Sequence, residues 1–496
     1  MKRFAQGARV RNEGRVRFLR GNRGAAATGH PVATGVAQSV LASQGNAVDA
    51  AIAAQAALCV LLPQSCGLGG DGLAIVRRPD GTSHTYLGAG AAPATGRAPV
   101  RDDGSSVTVP GLVHAWQTLA RAEGTLPLGE LLAPADALAE EGAVLGHSVA
   151  SAVLAGRRRL ERGGAAGWEI VEAGLSGRRV RQPALAYVLR EIGKWGADAF
   201  YRGPLTEAIA SAVRRDGGSL STKDFAEHTT SVGKTIDVVW EGRVVRLMPP
   251  PSQAVLLGWA LVGLERLAPL PENLIDHACV ELIQAAFRHR KEVGRGPALL
   301  KEPLEIDLDR ATHRAGPRGN LHTAGVATAD SEGTVVSSLV SLFDDFGSGT
   351  FVPEGGFVLN NRAAGFTDPP NHYRPGARPV HTLSPILVER GGAVTALATP
   401  GADGQVQTLL QVLVGTVRKG LDLPAAVARP RWRSEEGRLL VEASLRDADR
   451  LASLGHDLHV LPHRADQFGA VVAAGIQDSV PFAVADHRRE AWAGVA

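Results

Sequence analysis

The residues best suited to do chemistry lie in one stretch, Leu321 to Phe366, which reads LHTAGVATADSEGTVVSSLVSLFDDFGSGTFVPEGGFVLNNRAAGF. Thr323 heads a run of two expected β-strands, VATAD and TVVSSLVSLF, joined by the turn SEG. A threonine hydroxyl is a weak nucleophile and needs a base beside it. If the bond between His322 and Thr323 is cut, the freed α-amine, with an ordinary pKa of about 7.7–8.0, can accept the hydroxyl proton. One residue then supplies nucleophile and base. A threonine at a strand start is also an ordinary buried residue, so the reading depends on its surroundings.

The elements that must position Thr323 are marked by local signals. Residues 32–43 read as a helix closed by Gly45, and Asn46 as the N-cap of a second helix, AVDAAIAAQAALCVL, that ends before Pro63. GLAIVRR, PDGT and SHTYLGAG read as strand, turn and strand, with Asp80-Gly81 at the turn. Residues 110–215 carry helical periodicity, and IDVVWEGRVVRLMPPPS reads as a hairpin ended by its triple proline. Residues 298–322 lose periodicity and read as an exposed linker that can be cut without opening a core. After Thr323 the strands GGFVLNN, SPILVER and AVTALATPG follow, then one helix, VQTLLQVLVGTVRKG. Without internal repeats, this is one α+β body with helices sandwiching its sheets.

Composition narrows the function. The chain has 496 residues, 44% of them hydrophobic, with 59 Gly and a formal charge of +3. Residues 1–24 hold eight basic side chains against Glu13 alone, so the rest is acidic. A basic tail with only Phe4 and Phe18 interleaved reads as a solvated arm, and no nucleic-acid partner is expected. The tail lacks a signal-peptide core and the apolar runs near 50–62 and 253–264 are short for a membrane span, so the cytoplasm is the expected compartment. Cys59, Cys66 and Cys279 match no metal or disulfide spacing, and no HExxH pair occurs; neither metal nor cofactor is expected.

Several longer motifs occur in order: GHPVATGVAQSVLASQGNAVDAAIAAQAALCVLLPQSCGLGGDG, DAFYRGPLTEAIASAVRRDGGSLSTKDF, PPPS at 249–252, Asp330 and Gly333 after Thr323, FGSG at 346–349, LNN at 359–361, RPVHTLSP at 378–385 and TPGADG at 399–404. Over most of residues 29–485 the chain thereby resembles the gamma-glutamyltransferase family of N-terminal-nucleophile hydrolases. The resemblance implies an αββα four-layer sandwich. It also implies self-cleavage between His322 and Thr323, giving fragments 29–322 (after a disordered basic tail, 1–28) and 323–496 that stay together as a heterodimer, with or without further oligomerisation. By the same resemblance Ser341 braces the nucleophile, and the N–H groups of Gly401 and Ala402 form the oxyanion hole.

Departures from the family pattern bear on substrate. The arginine that binds a glutamyl carboxylate in transpeptidases corresponds to Ala89, the acidic residue that holds its amine to Gly365, and an asparagine to Phe343. The usual serine pair is His381 and Thr382, and the usual TTH start is TAG. GLGGDG, FGSG, NNR and RPVHTLSP are similar to the amidohydrolase branch, which includes oxamate amidohydrolase and cephalosporin-acylase-like members. Arg362 is then the expected carboxylate anchor, with His381 and Thr382 as further donors, while Arg374 and Arg378 read as surface or structural. The expected activity is hydrolysis or transfer of an acyl group from a small-molecule amide near a carboxylate through an acyl-threonine. A γ-glutamyl transpeptidase or glutathione hydrolase, a C–C bond hydrolase of secondary metabolism, and an uncleaved, non-catalytic homologue are the alternatives.

Overall fold

Local chemistry sets where the first helices begin. Asn46 Oδ1 accepts from the N–H groups of Val48 and Asp49, and Asp49 Oδ2 accepts from Asn46 N, a reciprocal cap that starts α2 (Ala47–Leu61) after α1 (Pro31–Ala42). Every residue of α2 is buried, and its many alanines let it sit between neighbours on all sides. At the first hairpin Gly81 has φ +88°, which a side chain would disfavour, and Asp80 Oδ1 accepts from Thr82 N.

The computed structural model describes residues 16–99, 102–173, 177–312 and 323–496. Fourteen strands form two antiparallel sheets. In chain order they are β1 (Leu19–Arg20), β2 (Gly24–Thr28), β3 (Asp71–Arg77), β4 (Ser83–Gly88), β5 (Ser231–Gly233), β6 (Ile236–Trp240), β7 (Arg243–Leu247), β8 (Ala324–Asp330), β9 (Val335–Ser341), β10 (Ile386–Arg390), β11 (Ala393–Ala398), β12 (Val472–Gln477), β13 (Val480–Ala485) and β14 (Trp492–Val495). The first sheet runs β14-β2-β8-β9-β3-β4-β5 and the second β1-β13-β12-β11-β10-β7-β6. Helices α1, α2 and α3 (Leu112–Glu123) cover the first sheet. Helices α4 (Val255–Arg266) and α6 (Gly404–Val417) cover the second, with α5 (Ile275–Phe287) packed against both. This is the expected αββα sandwich.

The pleat decides what each strand residue touches. Ala25, Ala27, Leu73, Ile75, Ala327, Ala329, Val335 and Leu339 join the core that includes the second sheet. Ala26, Ala74, Val76, Val326, Val336 and Val340 join the core beneath α1 and α2. Thr323, in step with Gly325 and Ala327, therefore faces the space between the sheets. There the sheets approach closely: a Cβ on Gly325 would lie 2.9 Å from Val472 Cγ2 and 3.4 Å from Ala398 Cβ.

Two expectations change, and one stretch without expectation gains strands. Residues 1–28 are not all tail, because Gly24–Thr28 is a fully buried strand between β8 and β14; residues 1–15 lie outside the described residues. Small side chains make that strand possible, since Leu41 packs directly over Gly24. After α6, where sequence patterning names no elements, β12 and β13 sit inside the second sheet and β14 edges the first, while Trp432–Glu435, Arg438–Glu442 and Leu458–Leu461 form a side sheet. The expected linker is docked in part: a 3₁₀ segment covers Arg290–Lys301, and Asp307, Ala311 and Thr312 are hydrogen-bonded to the body. Residues 313–322, with the His322 side of the expected cut, lie outside the described residues.

The close approach at Gly325 explains why this chain carries TAG rather than a bulkier start. Gly325→Val is expected to destabilise the fold by about 1–3 kcal/mol through overpacking, measured by denaturant unfolding.

Candidate active site

Strand register assembles the site. Ala324 pairs with Val340 and Ser341 with Asp71, so Thr323, one residue before β8, comes alongside Ser341. Gly72 pairs with Gly88, so one further step brings Ala89 alongside Asp71. Thr323, Ser341, Asp71 and Ala89 thus form a row across four chain segments, and cross-strand partners project to one face. That face is the inter-sheet side, at the open end of the sandwich.

Within the row Thr323 Oγ1 donates to Ser341 Oγ at 3.2 Å, and Ser341 Oγ also accepts from Phe343 N at 2.9 Å. Ser341 is thereby held as an acceptor, which turns a lone pair of the Thr323 oxygen away from it. Phe343 has φ +82°, a conformation costly for a side chain, and its ring lies 4.7 Å from the Arg362 guanidinium carbon.

Asp71 is the charged member of the row and is completely buried. Its Oδ2 accepts from Arg362 Nε at 2.9 Å and from His381 Nε2 at 3.2 Å. His381 Nδ1 accepts from Leu383 N, so the neutral ring carries its proton on Nε2. Burial, then the neighbouring Arg362 charge, push His381 down to about 4, which keeps it neutral. Burial would push the Asp71 carboxyl up, but the His381 hydrogen bond and the Arg362 charge outweigh it and hold the pKa below its ordinary value. Arg362 Nη1 donates to Thr382 Oγ1 at 3.3 Å, and Arg362 N donates to Asn360 Oδ1.

The structure gives Arg362 an internal partner that its expected role as carboxylate anchor did not include. Its side chain is 0% exposed; Nε is paired with Asp71 and Nη1 with Thr382 Oγ1, while the buried Nη2 has no hydrogen-bond partner among the described residues. His381 and Thr382, also buried, belong to the same internal network. Asp71 was legible only as part of the GLGGDG loop; no spacing rule marks it as the partner of an arginine 291 residues away. Arg378 was read as surface, and it is exposed, yet its Nε donates to the carbonyl of Ala89 at 2.8 Å. Its guanidinium therefore lies at the far end of the row. Gly365 offers no side chain, and its carbonyl accepts from Asn371 Nδ2.

The turn expected to receive an oxyanion follows β11. Because Ala398 lies against Gly325, the residues after it reach the nucleophile's end of the sandwich. Gly401 and Ala402 have φ +124° and +48°, a bend that breaks the strand before α6. Gln253, just after the PPPS turn, ties the pieces together. Its Nε2 donates to the carbonyls of Thr382 and Ala402, both at 3.1 Å, and its N donates to that of His381 at 2.9 Å. Sequence patterning passed over Gln253, whose importance lies wholly in what surrounds it.

A family profile described as gamma-glutamyltranspeptidase matches residues 33–496. The chain belongs to the gamma-glutamyltranspeptidase family. Within it, the chain is 30% identical to an oxamate amidohydrolase proenzyme of Klebsiella pneumoniae over 90% of its own length and 93% of the relative's. It is 29% identical to an acylase ACY 1 proenzyme of Pseudomonas sp. (strain SE83), over 91% and 90% of the two chains. A cephalosporin acylase structure from Bacillus halodurans superposes with a TM-score of 0.88 at 26% identity, covering 100% of this chain and 99% of that one. The gamma-glutamyltranspeptidase-family fold is thus present, and Thr323 immediately precedes its strand β8.

The Asp71–Arg362 pair should behave as a unit. Asp71→Asn leaves a buried guanidinium uncompensated and is expected to cost about 3–5 kcal/mol in denaturant unfolding, with less than additive loss when combined with Arg362→Met. Because the folded Asp71 pKa is depressed, its contribution is present above the unfolded value of about 3.9 and is lost as pH falls through the lower folded value. The wild type should therefore lose its advantage over Asp71→Asn only in that acid range, as read by stability measured against pH.

Proposed function

We propose that this chain is a self-cleaving hydrolase in which Thr323, as a new N-terminus, attacks an amide carbonyl that lies near a carboxylate. The observation that carries the reading is the Thr323–Ser341 hydrogen bond at the head of the inter-sheet row, beside the turn bearing Gly401 and Ala402. The names of the relatives, an oxamate amidohydrolase and acylases, support amide hydrolysis as the reaction class.

In maturation, Thr323 Oγ attacks the carbonyl carbon of His322, the chain transfers from nitrogen to oxygen, and water cleaves the resulting ester. This releases the His322 carboxylate and the Thr323 amine. In turnover the amine takes the hydroxyl proton as the oxygen bonds to the substrate carbonyl. The N–H groups of Gly401 and Ala402 meet the developing oxyanion, a donor pair of the kind whose loss costs about 10²–10³ in rate. The C–N bond breaks as the ammonium proton passes to the leaving amine, and water then releases the acid from the acyl-threonine. Ser341 is a positioning residue, setting the direction of the Thr323 oxygen.

For the substrate carboxylate we assign Arg378 in place of Arg362. Arg378 is exposed, is charged and is anchored on Ala89 at the end of the row. Ala89 and Gly365 carry neither guanidinium nor carboxylate, which weighs against γ-glutamyl donors, whose α-amine and α-carboxylate both need partners.

Purified wild type should migrate as two fragments on a denaturing gel and Thr323→Ala as one; a single wild-type band after long incubation would refute maturation. Ser341→Ala should lower kcat by about 10²-fold while retaining Thr323, since a displaced nucleophile loses its attack geometry. For an amide acid, kcat/KM should rise with pH through about 7.7–8.0 as the α-amine loses its proton. Arg378→Met should raise KM about 10- to 100-fold for the amide acid, with little change for its neutral ester analogue; equal effects on both would remove Arg378 from carboxylate binding.

A further inference from the structure

The helix layer over the second sheet holds a second polar cluster that the chemistry at Thr323 does not use. His277 and Glu281 lie one turn apart on α5, and His456 follows the turn at Leu454. Their exposures are 1%, 0% and 9%, and their ligand-type atoms all lie within 4.8 Å of one another. We propose that His277, Glu281 and His456 bind a divalent transition-metal cation of the zinc type. Resting on self-cleavage at Thr323, the same site joins the two fragments, because His277 and Glu281 belong to the first and His456 to the second.

Tautomer and geometry carry the proposal. His277 Nε2 donates to the carbonyl of Asp307 at 2.9 Å, so its neutral ring presents an unprotonated Nδ1. Such a second-shell carbonyl is the usual way a protein aims an imidazole at a metal. The Nδ1 lone pair points at His456 Nε2, 2.8 Å away, and the ring planes stand at 66°. Without metal, one proton on His456 Nε2 fills the gap between the two nitrogens. A cation takes its place, and the proton moves to the other ring nitrogen of His456, so that the neutral imidazole ligates through Nε2. Tetrahedral zinc, with Zn–N distances of about 2.0–2.1 Å, needs its nitrogens about 3.3 Å apart, so the rings must part by about 0.5 Å. Two imidazoles and a carboxylate suit zinc, cobalt or nickel rather than calcium or magnesium, which prefer oxygen ligands. A fourth position falls to water.

The surroundings bind the site to both fragments. Glu281 Oε1 accepts from Thr312 N at 3.0 Å, and Ala311 N donates to the carbonyl of Leu454 at 2.6 Å. The cluster therefore sits where Ala311 and Thr312 of the first fragment meet a turn of the second. Sequence spacing conceals it, since His456 lies 179 residues from His277.

The test strips the full-length protein with EDTA and titrates it with Co²⁺, then Zn²⁺. We expect one Co²⁺ per cleaved pair with the intense visible bands of tetrahedral cobalt, displaced by one equivalent of Zn²⁺, and a Zn²⁺-dependent rise in Tm of the cleaved protein. His277→Ala should abolish both. His456→Gln, whose amide can still donate to His277 Nδ1 and so preserves the fold, should also abolish both. The uncut Thr323→Ala protein should bind Co²⁺ like the wild type, which separates failure of this site from failure of self-cleavage. Absence of saturable Co²⁺ uptake in wild type, or uptake unchanged in His277→Ala and His456→Gln, would overturn the proposal.

Discussion

The hydrogen-bond register among β8, β9 and β3 is the constraint on which the site depends. Adjacent strands lie about 4.8 Å apart, so register alone brings Thr323, Ser341, Asp71 and Ala89 into line. A slip of one residue between β8 and β9 would turn Thr323 toward α2 and bury its hydroxyl among alanines. The register is held by the two-core pattern: alternate residues of these strands fill the inter-sheet core and the helix-side core, and neither core tolerates the other's set.

An acidic residue in that row carries a structural demand. Asp71 is buried and charged, so it needs a buried cation, and Arg362 fills that need through its Nε. Arg362 in turn requires Phe343 against its guanidinium, Thr382 as an acceptor and Asn360 to fix its backbone. Three departures from the family pattern, at Phe343, His381 and Thr382, thereby become parts of one internal network rather than separate changes to a substrate pocket. Arg378 reaches the same row from outside, through the Ala89 carbonyl.

Interleaving explains how the proposed cut at Thr323 would leave the body whole. In the first sheet β14, β8 and β9 follow the cut in sequence while β2, β3, β4 and β5 precede it, and β2 lies between β14 and β8. In the second sheet β1, β6 and β7 flank a block made wholly from the later fragment. Each fragment alone would expose strand edges and one side of both cores, so the two remain a single folding unit.

Elements marked by local chemistry were legible from sequence. The N-cap at Asn46, the Asp80-Gly81 turn, the hairpin before the triple proline and most strands after Thr323 match, because caps, turns and pleats act over a few residues, whereas GGFVLNN holds only the short strand Phe357–Val358. Gly24–Thr28 was not legible: its small side chains suit a strand only when neighbours press on both faces. The order of motifs determined the family, the fold and the candidate nucleophile. Only the tertiary structure decided that Arg362 serves Asp71, that Gln253 ties the turn at Ala402 to Thr382, and that Arg378 stands over Ala89. Each of those depends on burial and on partners more than a hundred residues away, and charge pairing in a low-dielectric interior is a property of place rather than of order along the chain.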